Sequence, residues 1–481
     1  MSNFRFLAVF PFILWSGFAQ ADATNDGAAN LAGLLQTYLG ATEGVVTVAP
    51  ENAAYNVKID LAPLISKMRQ PGLDAHVTPL ELLVTDNGDG TWSVTQDQAI
   101  ELAVSVPDTM DYTMSAAHFV SNGIFDESLH SFSSFTADLT DVSNVQTIRD
   151  PTIDEINSAS HADTIHIEST ASAGAAGGVD TTSTYDVAGY SQTMGLPMMG
   201  EVQDVTIAAR RYTAKVDMQG FRPDAFYRLL AFLVANPSAE AITSKQHDLK
   251  EILRAGVPFF DHMISNAAVG SVVADTPMGT IRLDQIQATV EANGIVANGQ
   301  VREAITLSGL RLPVDLVPAW ASDLVPQSLV LDLGASGFDL AGPATLLLNN
   351  LDLTADPPLP EGVDQALLAL LLPKGAAEVT LGASSVKGPV YEAKFAGSMS
   401  VGPNDIPTGT ARITATGLDK VEAAFAAAPP SLGMQGSIAT GMLVAMAKPG
   451  ADGELVWDID ATQPGVILVN GVDVLGMGAA P

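Results

Sequence analysis

The sequence contains no cysteine and few basic residues. Its 481 residues include 22 Lys and Arg against 54 Asp and Glu, a formal net charge of −32. The lack of cysteine excludes disulfides and thiolate metal sites. Because the surface is so acidic, it repels phosphate backbones and anionic membrane faces, and we expect no nucleic-acid partner. The same acidity is typical of a solvated surface in a salty environment, because net charge affects solubility and does not determine the fold.

Known catalytic motifs are also missing. The sequence has no G-x-S-x-G elbow, P-loop, dinucleotide-binding fingerprint or H-E-x-x-H, and "GSMSVG" at 397–402 lacks the spacing of an elbow. Acid pairs such as Asp323 with Asp332 are expected by chance among 54 acids. Asp458 and Asp460 fit the wet face of a strand that buries Trp457.

The stretch "DNGDG" (86–90) resembles a calcium loop but has the wrong spacing. With Gly90 at the glycine position, Thr85, Asn87 and Asp89 occupy the first three ligand positions, and Gln96 stands where a bidentate Glu is required. The glycines instead suit the positive φ angles of a tight hairpin loop. We therefore predict a hairpin over 82–96.

The histidines offer one cluster, "HADTIHIE" at 161–168. On a strand, His166 and Glu168 share one face, and His161 and Asp163 share a face with Ile165. A zinc site needs at least three protein ligands, and no third ligand can be identified. We interpret these residues as solvent-facing strand positions. We accordingly predict no catalytic, metal or cofactor-binding residue, no cofactor and no enzyme.

The first residues predict export. A single cation, Arg5, precedes an apolar run from Phe6 to Trp15, and Ala19-Gln20-Ala21 fits a cleavage site. The run is too short to span a bilayer. We expect a secretory signal over residues 1–21, cleaved after Ala21, and a periplasmic protein with no transmembrane span in the mature chain. An uncleaved amphipathic anchor is the alternative.

Most of the remaining chain alternates apolar and polar residues as strands do. The clearest runs lie at 53–61, 203–218, 279–312, 328–340 and 377–402, with Asn-Gly turns at 293–294 and 298–299. This alternation indicates antiparallel sheet with one face buried and one wet. The predicted fold class is α+β, predominantly antiparallel β, with long curved or meandering sheets and short peripheral helices.

Helical patterns are fewer. We predict helices at 25–39, two or three within 221–266, and further helices at about 364–373 and 419–447. The last of these is nearly uncharged, but its glycines and its length favour a core helix over a membrane span. The helices at 221–270 divide the chain into an N-terminal β-rich region (22–220) and a C-terminal one (271–481). The small-residue stretch 169–184 is interpreted as a flexible connection or a hairpin tip.

The segment 454–475 predicts a closing hairpin. Leu455, Trp457 and Ile459 alternate with polar or smaller residues, and Pro464-Gly465 favours a type II turn. This ending resembles exported bacterial proteins of the AsmA-like and YdgA-like groups.

A longer part of the chain resembles the DUF2125 type of uncharacterised alphaproteobacterial envelope proteins. The similar phrases are "GDGTW" (88–92), "SGLRLP" (308–313), "DPPLP" (356–360) and "DGELVW" (452–457). The resemblance implies an exported, sheet-rich protein and assigns no functional residue.

Two function classes remain after these exclusions. The first is a non-enzymatic envelope protein that holds a lipid or other apolar ligand on a curved sheet, with ligand-binding residues that the sequence does not identify. The second is a structural or protein-interaction module of the cell envelope with a filled core. A hydrolase would require carboxylates about 5–10 Å apart in a groove.

Overall fold

The protein folds as one very long antiparallel sheet with helices at its ends. The computed structural model describes residues 23–66, 74–150, 153–198, 201–403 and 406–475. The predicted leader, residues 1–21, lies outside the described residues. Strands occupy 53% and helices 24% of the structure, which confirms the α+β, mainly antiparallel class.

Twenty-one strands form the sheet in the described residues. The first ten are β1 (Val46–Glu51), β2 (Ala54–Ile59), β3 (Asp74–Val77), β4 (Leu80–Asp86), β5 (Thr91–Val106), β6 (Met110–Asp126), β7 (Ser131–Asp150), β8 (Ile153–Ala173), β9 (Val179–Met198) and β10 (Glu201–Phe221). The others are β11 (His262–Thr276), β12 (Gly279–Asn293), β13 (Gly299–Ser308), β14 (Ser328–Phe338), β15 (Ala377–Lys387), β16 (Glu392–Val401), β17 (Thr408–Thr416), β18 (Lys448–Pro449), β19 (Leu455–Ala461), β20 (Leu468–Val469) and β21 (Val472–Asp473).

Of the described α-helices, the first precedes β1 and the others lie between later strands. They are α1 (Asn25–Leu39), α2 (Ala62–Ile65), α3 (Pro223–Ala235), α4 (Ala239–Ser244), α5 (Gln246–Gly256), α6 (Ala341–Asn350), α7 (Val363–Leu371), α8 (Leu418–Ala426) and α9 (Pro430–Met446). All the helices predicted from the sequence are confirmed. Helix α6 was missed because Gly342 and Pro343 look like a break, although proline is tolerated in the first turn of a helix.

From β6 to β16, each strand pairs with the one before it and the one after it. The pairing is antiparallel throughout, and β19 follows β17 directly. Because β10 pairs with β11 over thirteen residue pairs, the sheet continues without interruption across the helices α3–α5. The two β-rich regions predicted on either side of those helices are thus parts of one sheet.

The N-terminal edge carries the best-packed core. Thr24 caps α1 by accepting a hydrogen bond from the Gly27 amide at 3.0 Å. The helix buries Leu31 against Val57 and Val84 of β2 and β4. This helix therefore shields the sheet where the chain begins.

The C-terminal hairpin is also as predicted. Trp457 is only 6% exposed, and its indole N–H donates to the Leu443 carbonyl at 3.0 Å. Asp458 and Asp460 are exposed on the opposite face. The hairpin therefore belongs to the far edge of the same sheet, where α9 lies against it.

The middle of the sheet has no second layer of comparable extent. Within the described part of the chain, no helix packs broadly on strands β6–β16. A typical folded chain of 49.9 kDa exposes about 17,000 Å², whereas this one exposes 28329 Å². None of the described helices is both long and apolar enough to span a membrane.

Candidate functional site

One face of the sheet carries an unbroken row of apolar side chains, which we call the apolar ladder. Each member is the direct cross-strand partner of the next, over thirteen neighbouring strands from β6 to β19. The ladder consists of Phe119, Leu139, Ile165, Val187, Tyr212, Val269, Ile286, Leu307, Leu329, Val386, Ala393, Ala415 and Leu455. All except Ala415 are only partly buried. The face that the sequence predicts to be buried is therefore apolar but incompletely covered.

A line of unpaired residues crosses the sheet beside this ladder. In six consecutive strand pairs, from β6–β7 to β11–β12, the ladder of paired residues skips at least one pair, and the skipped positions lie next to one another across the sheet. The residues left out, which we call the bulge line, are Ala117, Asp141, Asp163, Gly189, Arg210, Ser271 and Asp284. All except Gly189 are exposed. In most of these pairs each strand skips one residue, as with Ala117 and Asp141, so the register is the same on both sides of the line.

On every second strand, the residue at the bulge line has a left-handed backbone conformation. The φ angles are 51° at Asp141, 65° at Gly189 and 55° at Ser271. Glycine adopts such angles freely. They are unfavourable for every other residue, although Asn and Asp tolerate them better than the rest. Their repetition on alternate strands indicates that the interruption of the pairing is a built feature of the sheet.

The bulge line shifts the alternation of side chains by one residue. Val187 and Tyr190 both line the same side of the sheet although they are three residues apart, and so do Val269 and Val272. An unbulged strand would place residues three apart on opposite faces. The shift keeps apolar residues on one face on both sides of the bulge line.

Beside the bulge line lies a groove of about 500 Å³, the apolar groove. Its lining comes from the seven strands β6–β12 and includes Met114, Ile165, Ile207 and Ile286. Ligand pockets are typically apolar clefts of about 300–1,000 Å³ with a few polar groups. The groove has the dimensions and the lining of such a site.

A small polar cluster lies at one end of the apolar groove. Gln192 accepts a hydrogen bond from the Tyr190 hydroxyl at 2.9 Å and donates to the Ser158 hydroxyl at 3.2 Å. The neighbouring Asn144 places its Oδ1 out of contact with solvent and without a hydrogen-bond partner. Its cross-strand partner Ser160 also lines the groove.

The opposite face of the same strands holds a polar groove of about 690 Å³. His166 lies 2.7 Å from Asp138 and 3.3 Å from Glu168. Hydrogen bonds to Asp138 and then Glu168 raise the pKa of His166. A hydrogen bond from Arg211 lowers the pKa of Asp186 in the same groove. Each group stabilises the charged form of its partner, which is the behaviour of structural ion pairs.

The candidate residues of the 161–168 cluster are divided between the two faces of the sheet and the bulge line. His166 and Glu168 share a face, as predicted. His161 and Ile165 both line the apolar groove, as their predicted shared face requires, whereas Asp163 lies on the bulge line and is exposed. His161 lies between Asp141 and Asp163, at 3.6 and 3.3 Å.

The "DNGDG" stretch forms the predicted hairpin turn. Its carboxylates accept bonds from the turn itself, Asp86 from the Gly88 amide at 2.7 Å and Asp89 from the Thr91 amide at 3.0 Å. Among the described residues, no group of three or more His, Asp or Glu side chains is arranged to hold a metal ion.

Sequence reasoning missed the groove residues themselves. A signal for them exists: apolar residues spaced by three inside strand-like runs, as in Tyr212 and Ala209 or Leu139 and Val142. This spacing interrupts the alternation and makes the strand pattern look broken.

Comparison with known proteins places the chain in a family. The family model described as "Uncharacterized protein conserved in bacteria (DUF2125)" matches residues 229–480, just over half of the 481 residues. The chain belongs to the DUF2125 family. The DUF2125 match begins inside α3 and contains β11 and β12 of the apolar groove, whereas β6–β10 precede it. No curated protein and no solved structure matches the chain.

Proposed function

We propose that this protein is a non-enzymatic binding protein that holds a lipid acyl chain or another apolar ligand on the open face of its sheet. The observation that carries the proposal is the apolar ladder, whose members from β6 to β16 are only partly buried and which borders the groove between β6 and β12. A contiguous apolar surface that is left incompletely covered on this scale is uncommon in soluble proteins and marks interaction sites.

The alternative of a structural module with a filled core has less support. A filled core would need a second layer on the apolar face, because one sheet buries a face only against another element. In the described residues, the helices that could supply that layer pack at the ends and edges of the sheet. The ligand, in this proposal, takes the place of the missing layer.

The predicted leader gives the proposal its location. A signal over 1–21 would deliver the mature chain to the periplasm, where lipids must cross water between two membranes. An apolar groove within an acidic, water-compatible surface is suited to carrying or sequestering such molecules.

Native mass spectrometry of the chain from Asp22 onward, purified from a bacterial periplasm, tests the proposal. We expect a reproducible mass excess that extracts into organic solvent as lipid or fatty acid. A bare mass together with no uptake of added lipid would overturn the proposal.

Two neighbouring residues on β11 provide a matched pair of variants. Val269 lines the apolar groove, whereas Ala268 lines the polar groove on the opposite face. We expect Val269→Glu to abolish the bound mass, because a carboxylate is strongly disfavoured in an apolar site. Ala268→Glu should retain the bound mass. Circular dichroism of both variants separates loss of ligand from loss of fold.

A further inference from the structure

Helix α9 exposes large apolar side chains and buries small ones. Met434, Ile438 and Met442 lie four residues apart along one side of the helix and are 67%, 56% and 61% exposed. The opposite side carries the buried Gly433 and Gly436. An ordinary surface helix has the reverse arrangement, with its large apolar side chains against the core. We call the three exposed residues the apolar ridge.

Neighbouring elements fix α9 in this orientation. A Cβ at Gly436 would overlap the Phe425 ring of α8, so the small side of α9 fits closely against that ring. The centroid of the Phe425 ring lies 6.0 Å from that of Trp320. The Trp457 indole N–H donates to the Leu443 carbonyl of α9 at 3.0 Å. Turning the helix to bury the ridge would break these contacts, so the ridge is a fixed part of the surface.

The helix that carries the ridge lies on the same face of the sheet as the apolar ladder. Trp457, which contacts α9, is two residues from the ladder member Leu455 on β19, and alternate residues of a strand share a face. From β13 to β17, the ladder lies one residue inside the end row of pairs, which consists of Ser308, Ser328, Lys387, Glu392 and Thr416. Helices α8 and α9 follow β17 at this same end of the sheet.

A second exposed apolar side chain emerges at this end. The segment 309–327 leaves β13 after Ser308 and joins β14 at Ser328, and these two residues are paired in the end row. Within the segment, Val314 is 90% exposed. The short helical turn Ala319–Leu324, which follows it, contacts α8 through Trp320. Val314 therefore adds to the apolar surface at the end of the sheet that carries α8 and α9.

The size of the ridge argues against a protein partner. Helix α9 has 17 residues. Such a helix is about 25 Å long and about 10 Å wide, so one side of it offers about 250 Å², whereas a stable protein–protein interface takes about 800 Å² from each partner. An interfacial helix in a bilayer needs only its own apolar side in contact with lipid.

Charge decides which lipid surface fits. No residue from 430 to 446 is charged, although the whole chain has a formal net charge of −32. The acidic remainder of the protein is repelled by an anionic bilayer. An uncharged helix on an acidic protein is therefore complementary to a zwitterionic surface.

We propose that the apolar ridge docks this protein onto a zwitterionic lipid bilayer, with Met434, Ile438 and Met442 inserted at the interface. The link from docking to the ladder rests on the proposed function. Docking places the C-terminal end of the ladder, at Leu455, beside the bilayer from which a lipid enters it.

Flotation with dioleoylphosphatidylcholine vesicles tests the docking on the mature chain from Asp22 onward. We expect the parent to float with the vesicles. We expect Ile438→Glu to lose about tenfold or more of this binding, because it withdraws an apolar side chain and places a charge at the interface. Ile406→Glu is the matched control, since Ile406 is 59% exposed and lies between β16 and β17 at the opposite end of the strands. It should bind as the parent does, and circular dichroism checks that both variants fold.

The lack of cysteine allows a direct probe of insertion. Ile438→Cys and Ile406→Cys each introduce a single thiol that can carry an environment-sensitive fluorophore. We expect vesicles to raise and blue-shift the emission of the label in Ile438→Cys and to leave that in Ile406→Cys unchanged. An equal response from both labels would contradict docking through α9.

The composition of the vesicles tests the charge argument. Vesicles that also contain phosphatidylglycerol should bind the parent more weakly at low salt, and added salt should restore the binding, because it screens the repulsion. Stronger binding to the anionic vesicles would overturn the inference.

The outcomes separate docking from the proposed function. Absence of flotation, flotation that survives Ile438→Glu, or a protein dimer that Ile438→Glu dissociates would overturn docking to a bilayer. The proposed function would still stand if native mass spectrometry of the parent shows bound lipid. A parent that floats but neither carries nor takes up lipid would overturn the proposed function and leave docking standing.

Discussion

At the scale of single residues, the bulge line depends on positions that tolerate left-handed backbone. Gly189 is the clearest, because its φ is 65° and a Cβ there would overlap the Asp163 carboxylate of the neighbouring strand. The glycine thus serves two needs at once, a backbone angle and a close approach between strands.

We predict that Gly189→Ala destabilises the protein by at least about 1–2 kcal/mol, the usual penalty for alanine in the left-handed region. Gly270→Ala is the matched control on β11, because its backbone is ordinary and its Cβ would meet no atom. That variant should stay within about 0.5 kcal/mol of the parent. Urea titrations monitored by circular dichroism measure both.

A third glycine separates the two effects. Gly177 has a φ of 93° and open space around its Cβ, so Gly177→Ala reports the backbone penalty alone. If Gly189→Ala proves no worse than Gly177→Ala, the close approach of Asp163 has no energetic consequence. Asp163→Ala should partly rescue Gly189→Ala if that approach matters.

The charged groups of the polar groove make a second prediction. Hydrogen bonds to Asp138 and Glu168 hold the pKa of His166 above its ordinary value of 6.5. A histidine with a raised folded-state pKa adds stability that is fully present below pH 6.5 and is lost as the pH rises through its folded pKa. The side chain is 41% exposed, so we expect the effect to remain below about 1 kcal/mol.

Proton NMR titration of His166 checks this directly. Its pKa should lie above 6.5 in the parent and should fall in Asp138→Asn, which removes the negative charge of the largest contributor. The decline of stability as the pH rises above 6.5 should be weaker in His166→Gln. An unchanged His166 titration in Asp138→Asn would contradict the assignment.

At the scale of elements, α9 packs through its small residues. Gly433, Gly436 and Thr440 are its buried positions, and a Cβ at Gly436 would overlap the Phe425 ring of α8. Met434, Ile438 and Met442 point outwards and are exposed. The sequence correctly predicts this helix, but the expectation that it is a core helix holds only for its glycine-bearing side. Hydrophobicity alone cannot tell which side of such a helix is buried, because both sides are uncharged.

Two glycines of α9 should respond to alanine in opposite ways. Gly436→Ala should destabilise the protein by about 1–3 kcal/mol, because the added methyl overpacks the contact with Phe425. Gly441→Ala meets no atom and should stabilise by up to about 1 kcal/mol, the usual gain in a helix interior. Thermal unfolding measures both, and equal shifts in the same direction would contradict this packing.

The strands show what sequence can and cannot predict. Asn293-Gly294 and Asn298-Gly299 correctly mark the turn between β12 and β13, because the conformation of a turn depends mainly on the residues that form it. The bulge line is not local: it is defined by the alignment of unpaired residues on seven strands. In a single sequence, each unpaired residue appears only as an interruption in the alternation of apolar and polar residues, as between Leu283 and Ile286. Nothing in the sequence indicates that these interruptions lie side by side in the sheet.

At the scale of the whole molecule, the sheet is nearly one-dimensional. From β6 to β16, each strand pairs only with its immediate neighbours in the chain. The sequence predicts this antiparallel, meandering order well, because consecutive strands joined by short turns usually pair. It does not predict the open face, since a ladder of partly exposed apolar residues and a buried one have the same composition.

The one-dimensional order predicts how the molecule opens. In such arrays, stability is approximately a sum of nearest-neighbour terms, so ends can open without the middle. The strands β20 and β21 have two residues each and lie at the edge, whereas β7–β10 have 20 or 21 residues and long partners on both sides. We expect amide hydrogen exchange to be slowest in β7–β10 and to accelerate towards β21.

A substitution in the middle provides the decisive comparison. Ala162 on β8 is buried beside its partner Val142 of β7. Ala162→Asp buries a charge there and should accelerate exchange in β7, β8 and β9, with little change in β15 and β16. If exchange accelerates equally along the whole sheet, the sheet unfolds as one cooperative unit. The apolar face would then depend on all of its strands at once, and local changes in the groove would be transmitted to both ends.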